Sequence, residues 1–222
     1  EDTQHLLRRS EAVRDAAFWK RLRTGSLEDY AASTAPLRRE FEEEVLGRFD
    51  RPLLPPDPRS RRIFDEPAYE GYEVKLDVWP DVFAYGVLLV PRDLKPGERR
   101  PAVVCQHGLE GRPRELADPG VDHPAYRRFG VRLAERGFVV FAPQNPYIGR
   151  DAFRTLQRKA NILGTHLFSI IIPQHRAITD WLASLPFVDP DRIGFYGLSY
   201  GGKTAMRVPA VVPRYALSIC SA

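Results

Sequence analysis

What this sequence lacks narrows it before any motif is read. No apolar run reaches the roughly 18 residues that a bilayer-crossing helix needs. The greasiest stretches, Val139 to Ala142 and Leu167 to Ile172, fall far short of it, so a membrane is not expected as a partner. The N-terminus lacks an apolar h-region: Glu1, Asp2, Arg8 and Arg9 surround only a trace of apolar character, which does not read as a signal peptide. Cysteine is scarce. Cys105 and Cys220 are the only two, and they make neither a metal-ligand spacing nor a disulfide framework. Each sits near the end of an apolar run, where cysteine serves as a small hydrophobe. No internal repeat of roughly 20 to 50 residues is present, which removes propellers and solenoids. A concentrated basic surface is missing too. The 33 Lys and Arg against 29 Asp and Glu leave a net charge of +4, but they scatter from Arg8 to Arg214 without the clustering and interleaved aromatics of a nucleic-acid-binding element. Nucleic acid is therefore not expected as a partner, and the compartment stays open.

What is present is an ordinary globular composition: 222 residues, 43% hydrophobic and 28% charged, enough for one sizeable domain with a buried core. The first fifty or so residues look helical, and in Leu37 to Phe49 the residues Leu37, Phe41, Val45 and Phe49 recur every fourth position, as on an amphipathic helix. Pro52, Pro55, Pro56 and Pro58 then break the chain. Residues 1–66 are accordingly expected to form a helical segment and a proline-rich linker, and residues 67–222 the main domain.

In that domain Tyr72 to Trp79 and Val82 to Val90, separated by Pro80-Asp81, give a hairpin signal. Ala102 to Gln106, Phe138 to Ala142, Arg192 to Gly197 and Tyr215 to Cys220 are short, continuous and apolar, as parallel strands covered on both faces are. Helical patterns lie between them: Pro124 to Arg136 ending at Gly137, roughly Thr165 to Leu185, and Tyr200 to Val208. In the second, Leu167, Ile171, Ile178, Trp181, Leu182 and Leu185 make one apolar face. Six strands alternating with helices predict an α/β fold: a doubly wound, mostly parallel sheet whose first pair is an antiparallel hairpin.

The chemistry is carried by Gly197-Leu198-Ser199-Tyr200-Gly201-Gly202, a G-x-S-x-G pattern. Short patterns recur by chance, so its setting matters. RIGFYG reads as a strand, Ser199 follows directly, and KTAMRV opens a helix, which is the strand-turn-helix context of a nucleophilic serine. A hydroxyl attacks a carbonyl only if a base takes its proton and donors stabilise the resulting oxyanion. The backbone N–H of Tyr200, at the positive end of the following helix, is one candidate donor. The second is the N–H of Leu109 in the loop Gln106-His107-Gly108-Leu109-Glu110-Gly111, because Gly108 lets the backbone approach closely.

His107 lies in this oxyanion loop and is expected to fix it rather than act as the base. His166 and His175, at the start of the long helix and within it, read as packed or solvated, and His123 as a loop or cap residue. Asp189 and Asp191 flank Pro190 in a turn and are expected to shape it. Lys203 is expected to support the turn or helix. The long connection Gln144 to Gly164 leaves the ligand-binding edge of the sheet; its Arg150, Arg154, Arg158 and Lys159 fit either a solvated helix face or an anionic or sugar substrate.

With the serine after the fifth strand and His107-Gly108 after the third, residues from about Tyr72 to Ala222 resemble the α/β-hydrolase superfamily. HGLEG, WLASLPFVDPDRIGFYGLSYGGK and RYALSICSA are most similar to its acetyl xylan esterase and dienelactone-hydrolase-like branch. That resemblance implies carboxylic-ester hydrolysis through an acyl-serine with no metal or cofactor, Ser199 as nucleophile, Leu109 and Tyr200 as oxyanion donors, and a small-molecule or carbohydrate ester as substrate. It also implies a catalytic acid and histidine on strands that would follow Ala222; the sheet is expected to continue past that point, and hydrolysis to be weak without them. The other readings are a prolyl-oligopeptidase-type peptidase, for which the first 70 residues offer no propeller, and a non-catalytic interaction protein on a hydrolase scaffold. The resemblance implies that the serine strand lies between those of Cys105 and Cys220, keeping them roughly 9 to 10 Å apart and unbridged.

Overall fold

The computed structural model of the chain describes residues 2–148 and 152–222. The chain forms two units, Glu1–Gly47 and Arg48–Ala222.

The first unit is helical. Helix α1 (Asp2–Ala17) is followed by a 3-10 turn at Trp19–Arg21 and by α2 (Leu27–Glu40), whose N-cap Ser26 accepts the Asp29 N–H at 3.0 Å. An Arg21–Glu40 ion pair at 2.8 Å and a 3.1 Å bond from the Arg23 N–H to Ser33 Oγ tie α2 to the segment before it. The amphipathic pattern expected over Leu37 to Phe49 continues only to Leu46, in a π-helical turn (Phe41–Leu46) that Gly47 ends at φ +74°. Val45, one of the four periodic residues, is exposed, because the wider π turn rotates it off the face that Leu37 and Phe41 share.

The second unit is built on a seven-stranded sheet of order β1-β2-β3-β5-β4-β6-β7. Its strands are β1 (Arg59–Asp65), β2 (Tyr69–Trp79), β3 (Val82–Pro91), β4 (Arg100–Gln106), β5 (Val139–Pro143), β6 (Val188–Leu198) and β7 (Tyr215–Ser221). The β2–β3 hairpin turns at Pro80-Asp81 as its sequence predicts, and β5, β4, β6 and β7 run parallel. Strand β3 meets β5 antiparallel, so all strands but β1 and β3 point the same way.

One strand is additional to the sequence reading. Residues 59–65 fall in the stretch expected to be linker, yet they pair antiparallel with β2. Their pattern RSRRIFD has no apolar alternation, because the strand is an exposed edge held by backbone bonds and cross-strand ion pairs. Arg59 meets Asp77, Arg61 meets Glu73, and Arg62 meets Glu70. Exposed pairs of this kind contribute at most about 1 kcal/mol each.

Helices cover both faces. On one, α3 (Arg114–Ala117) and α4 (Phe129–Ala134) bury Leu116, Ala117, Val131 and Ala134 against Val87, Leu89, Cys105, Val140 and Ala142. On the other, α6 (Phe168–Ser184) sets Trp181 edge-on to Phe141, 5.8 Å between ring centroids, and His175 beside Phe195. The switch from Phe141 to Val140 and Ala142 is the two-residue period of a strand buried on both faces. Helix α7 (Tyr200–Val211) follows β6, and α5 (Ala152–Ile162) precedes α6. The helix expected from Pro124 is regular only from Phe129: Arg127 and Arg128 have φ of +47° and +53°, and residues 123–127 form a turn instead.

Strand order places β6 between β4 and β7, with Cys105 opposite Tyr196 and Cys220 opposite Gly197. Both cysteines are free, as that separation requires; Cys105 is buried and Cys220 exposed, since β7 is the sheet edge among the described residues. Among those residues no helix is long and apolar enough to cross a membrane.

Candidate active site

The G-x-S-x-G turn sits at the end where the parallel strands finish. Ser199 takes φ +58° and ψ −116°, a conformation that L-residues avoid at a cost of about 1–3 kcal/mol. Neighbouring structure imposes it: the Ser199 N–H donates to Ser221 O of β7 at 2.8 Å, and its carbonyl accepts the Lys203 N–H at 2.9 Å. Glycine is required around it for closeness of approach. A Cβ on Gly197 would lie 1.9 Å from Gly201 O, and one on Gly201 would lie 2.3 Å from Gln106 O at the end of β4. Gly202 lies equally close to Ser221 O. The turn is thereby pressed between the ends of β4 and β7, and the Ser199 side chain is left exposed above them.

The loop after β4 comes up to the serine. A Cβ built on Gly108 would touch Ser199 Cβ at 3.4 Å, so nothing larger than backbone separates this loop from the hydroxyl. His107 holds it there. The ring is fully buried; Nδ1 donates to Gly108 O at 2.7 Å, while Nε2 accepts the Asn145 N–H at 3.4 Å and the Gln144 side-chain amide at 3.3 Å. That network assigns the proton to Nδ1. Burial pulls the pKa down to about 4, so the imidazole is neutral, with Nδ1 committed to the loop and Nε2 to Gln144 and Asn145 after β5. Tyr126 completes the support by accepting the Gly108 N–H at its hydroxyl, 2.8 Å away. Among the described residues the Leu109 N–H has no hydrogen-bond partner, and the Tyr200 N–H, first in α7, has no acceptor within its helix.

Tyr126, Gln144 and Asn145 were not singled out by the sequence. Gln144-Asn145 directly after a strand end, facing an H-G loop, is a usable signal; Tyr126 carries none, because an irregular turn brings it in. The cleft lined by Val82, Phe83, Tyr85, Pro146, Ile148 and Ile170, about 610 Å³, shares Gln144 and Asn145 with the His107 network.

Beneath the elbow, Tyr200 enters an aromatic cluster. Its ring meets Tyr147 at 5.5 Å and Phe153 at 5.2 Å, both edge-on, and stacks on Phe168 at 6.1 Å. Burial pushes its hydroxyl pKa up to about 12, and that hydroxyl has no partner among the described residues. Tyr147 and Phe153 come from the long connection after β5, which thereby packs against the site. Within that connection Arg154, Arg158 and Lys159 are exposed on α5, as a solvated face would be, and Arg150 lies outside the described residues.

The remaining candidates lie elsewhere. His175 is fully buried, shares a 2.7 Å hydrogen bond with Tyr215, and has its pKa lowered to about 3 by burial. His123 stacks on Tyr126, and His166 stacks on Phe168. Asp189 and Asp191 bond to each other through the Asp191 N–H at 3.1 Å in the first residues of β6, at the opposite end of that strand from Ser199. Among the described residues no histidine or carboxylate hydrogen-bonds to Ser199. No group of three His, Cys, Asp or Glu among them could hold a metal ion.

Residues 97–219 match the sequence profile of the Dienelactone hydrolase family, more than half of the chain. No curated protein sequence matches. Among solved structures, one from Bacteroides fragilis NCTC 9343, provisionally called an acetyl xylan esterase, superposes with a TM-score of 0.70 at 16% identity over 85% of this chain and 52% of its own. Acetyl xylan esterase 1 from Thermoanaerobacterium sp. gives 0.56 at 18% identity over 73% and 51%. A glucuronoyl esterase from Solibacter usitatus gives 0.57 at 15% identity over 85% and 57%. The chain thus spans about half the length of these structures and shares their fold.

Proposed function

Given that the chain belongs to the dienelactone hydrolase family, we propose that it is the nucleophile-bearing part of a serine hydrolase that cleaves carboxylic esters through an acyl-serine at Ser199. One observation carries this reading: an exposed serine is held in a strained backbone conformation beside a loop whose backbone is tied down by a neutral histidine. Ser199 Oγ attacks the ester carbonyl as a base removes its proton. The oxyanion is received by the N–H groups of Leu109 and Tyr200, and collapse expels the alcohol, which takes up the proton. Water then releases the acid by the same steps in reverse.

None of the described histidines hydrogen-bonds to Ser199. His107 and His175 are committed to buried hydrogen bonds and stay neutral, so the reading assigns the catalytic histidine and its acid to residues outside residues 1–222. His107 and Gly108 act as positioning residues for the oxyanion loop. The acetyl xylan and glucuronoyl esterases among the structural neighbours favour a carbohydrate-linked ester as substrate.

A second reading, a non-catalytic protein on a hydrolase scaffold, draws on the lack of any acid or histidine bonded to Ser199 among the described residues. Fluorophosphonate labelling of the full gene product, read by intact mass, separates the two. A single adduct that disappears in Ser199→Ala is expected; no adduct on the wild type supports the second reading, and an adduct that persists in the variant places the nucleophile elsewhere. Faster cleavage of a proline-containing peptide amide than of p-nitrophenyl acetate would favour a peptidase.

A further inference from the structure

Many arginines have an acid beside them: Arg62 meets Glu70, Arg100 meets Asp93, Arg114 meets Glu73 and Arg214 meets Asp180. Lys203 and Arg207 on α7 are different. Both are half-buried, and among the described residues neither has a carboxylate within ion-pair distance. They rest on aromatic faces instead. Lys203 Nζ lies 5.0 Å from the Tyr200 ring centroid, Arg207 Cζ lies 5.3 Å from that of Phe168, and Arg207 reaches back to Lys203 O at 3.3 Å. His166 stacks on the same Phe168, at 5.5 Å. Three basic groups therefore converge on the stacked pair Phe168–Tyr200. Contact with a ring face attracts a cation but does not neutralise it. Burial, then the charges of Lys203 and Arg207, lower the His166 pKa, and burial, then Arg207, lower that of Lys203.

The location relates this charge to the elbow. Tyr200, Lys203, Thr204 and Arg207 share one face of α7 at helical spacing, and side chains on a helix lean toward its N-terminus, here toward Ser199. Lys203 is one turn from the serine, about 6 Å along the axis. Arg207 adds a planar fork suited to a carboxylate.

We infer that Lys203 and Arg207, backed by His166, receive a carboxylate carried by the ester substrate, so that the site prefers anionic esters over neutral ones of the same shape. The inference rests on Ser199 being the nucleophile. It uses different residues from the exposed cations of α5, which lack the aromatic platform.

Two measurements test it. On the full gene product, the ratio of kcat/KM for p-nitrophenyl hemiglutarate to that for p-nitrophenyl pentanoate is expected to exceed one. It should fall about tenfold in Lys203→Met and Arg207→Met, mainly through KM, and be restored by Lys203→Arg. Independently, glutarate titrated into Ser199→Ala protein should shift the amide NMR signals of residues 200–207, while neutral glutaramide should not; the double Met variant should abolish the response. Equal ratios in wild type and variants, with no localised glutarate response, would overturn the inference while leaving the esterase reading intact. Glutarate binding that needs Lys203 and Arg207, with no ester turned over, would instead retain the anion subsite and remove the serine mechanism.

Discussion

Gly201→Ala sets two known effects against each other, and the distances decide between them. Gly201 does not have a positive φ, and within a helix alanine is better than glycine by about 1 kcal/mol. On helix propensity alone the variant would be stabilised. The added methyl, however, would lie 2.3 Å from Gln106 O and 2.8 Å from His107 O, where ordinary contact begins near 3.4 Å. Both obstacles are backbone at the end of β4, a strand paired on both sides with β5 and β6, so neither can swing aside as a side chain would. Helix α7 and β4 must separate by about 1 Å, and overpacking of this kind costs about 1–3 kcal/mol or more. The net expectation is a loss of about 2 kcal/mol, which for a chain of this size lowers Tm by about 4–8 °C. The same displacement moves Tyr200 away from Leu109, so fluorophosphonate labelling of Ser199 should slow by about 100-fold. Urea unfolding and labelling time courses measure the two effects. Gly97→Ala is the contrast: with φ +77° and nothing within 4 Å of the new methyl, it should cost about 1 kcal/mol of strain and leave labelling alone. A Gly201→Ala protein as stable and as quickly labelled as wild type would refute the close-approach account of the elbow.

Ser199→Gly should be more stable than Ser199→Ala by about 1 kcal/mol in urea, since both lose the hydroxyl but only glycine accepts φ +58° freely; equal midpoints would mean the turn stores no strain. Tyr126→Phe strands the buried Gly108 N–H and should cost about 1–3 kcal/mol while slowing Ser199 labelling; unchanged labelling would show that the loop does not depend on it. His175 and His107, with folded pKa values of about 3 and about 4, lie below the ordinary histidine value. Their contribution to stability is therefore full above about pH 6.5 and shrinks as acid protonates the unfolded chain but not the folded one. Between pH 6 and 4.5 the unfolding free energy of His175→Gln should fall less steeply than that of wild type, by about 1.4 kcal/mol per pH unit; identical slopes would show that His175 is not buried neutral.

Local chemistry made much of this protein legible in its sequence. Val139 to Ala142 read as a buried strand because every position is apolar, and β5 is buried throughout. Gly197, Ser199 and Gly201 read as an elbow because a sharp strand-to-helix turn needs small residues at that spacing, and the backbone at Ser199 has the strain that such a turn implies. His107 read as a loop anchor from its place after a strand, and its ring is hydrogen-bonded on both sides.

Other features depend on partners remote in sequence, and only the tertiary structure decided them. Strand β1 is stabilised by β2 across the sheet, so RSRRIFD has no pattern of its own to read. The turn at Arg127 and Arg128 exists where helix periodicity continues, because it carries Tyr126 to Gly108, eighteen positions earlier. Lys203 and Arg207 look in the sequence like any exposed helical cations. Their half-burial without an acid follows from Phe168 and Tyr200 meeting across two helices, and charge imbalance of that kind is a property of three-dimensional neighbours.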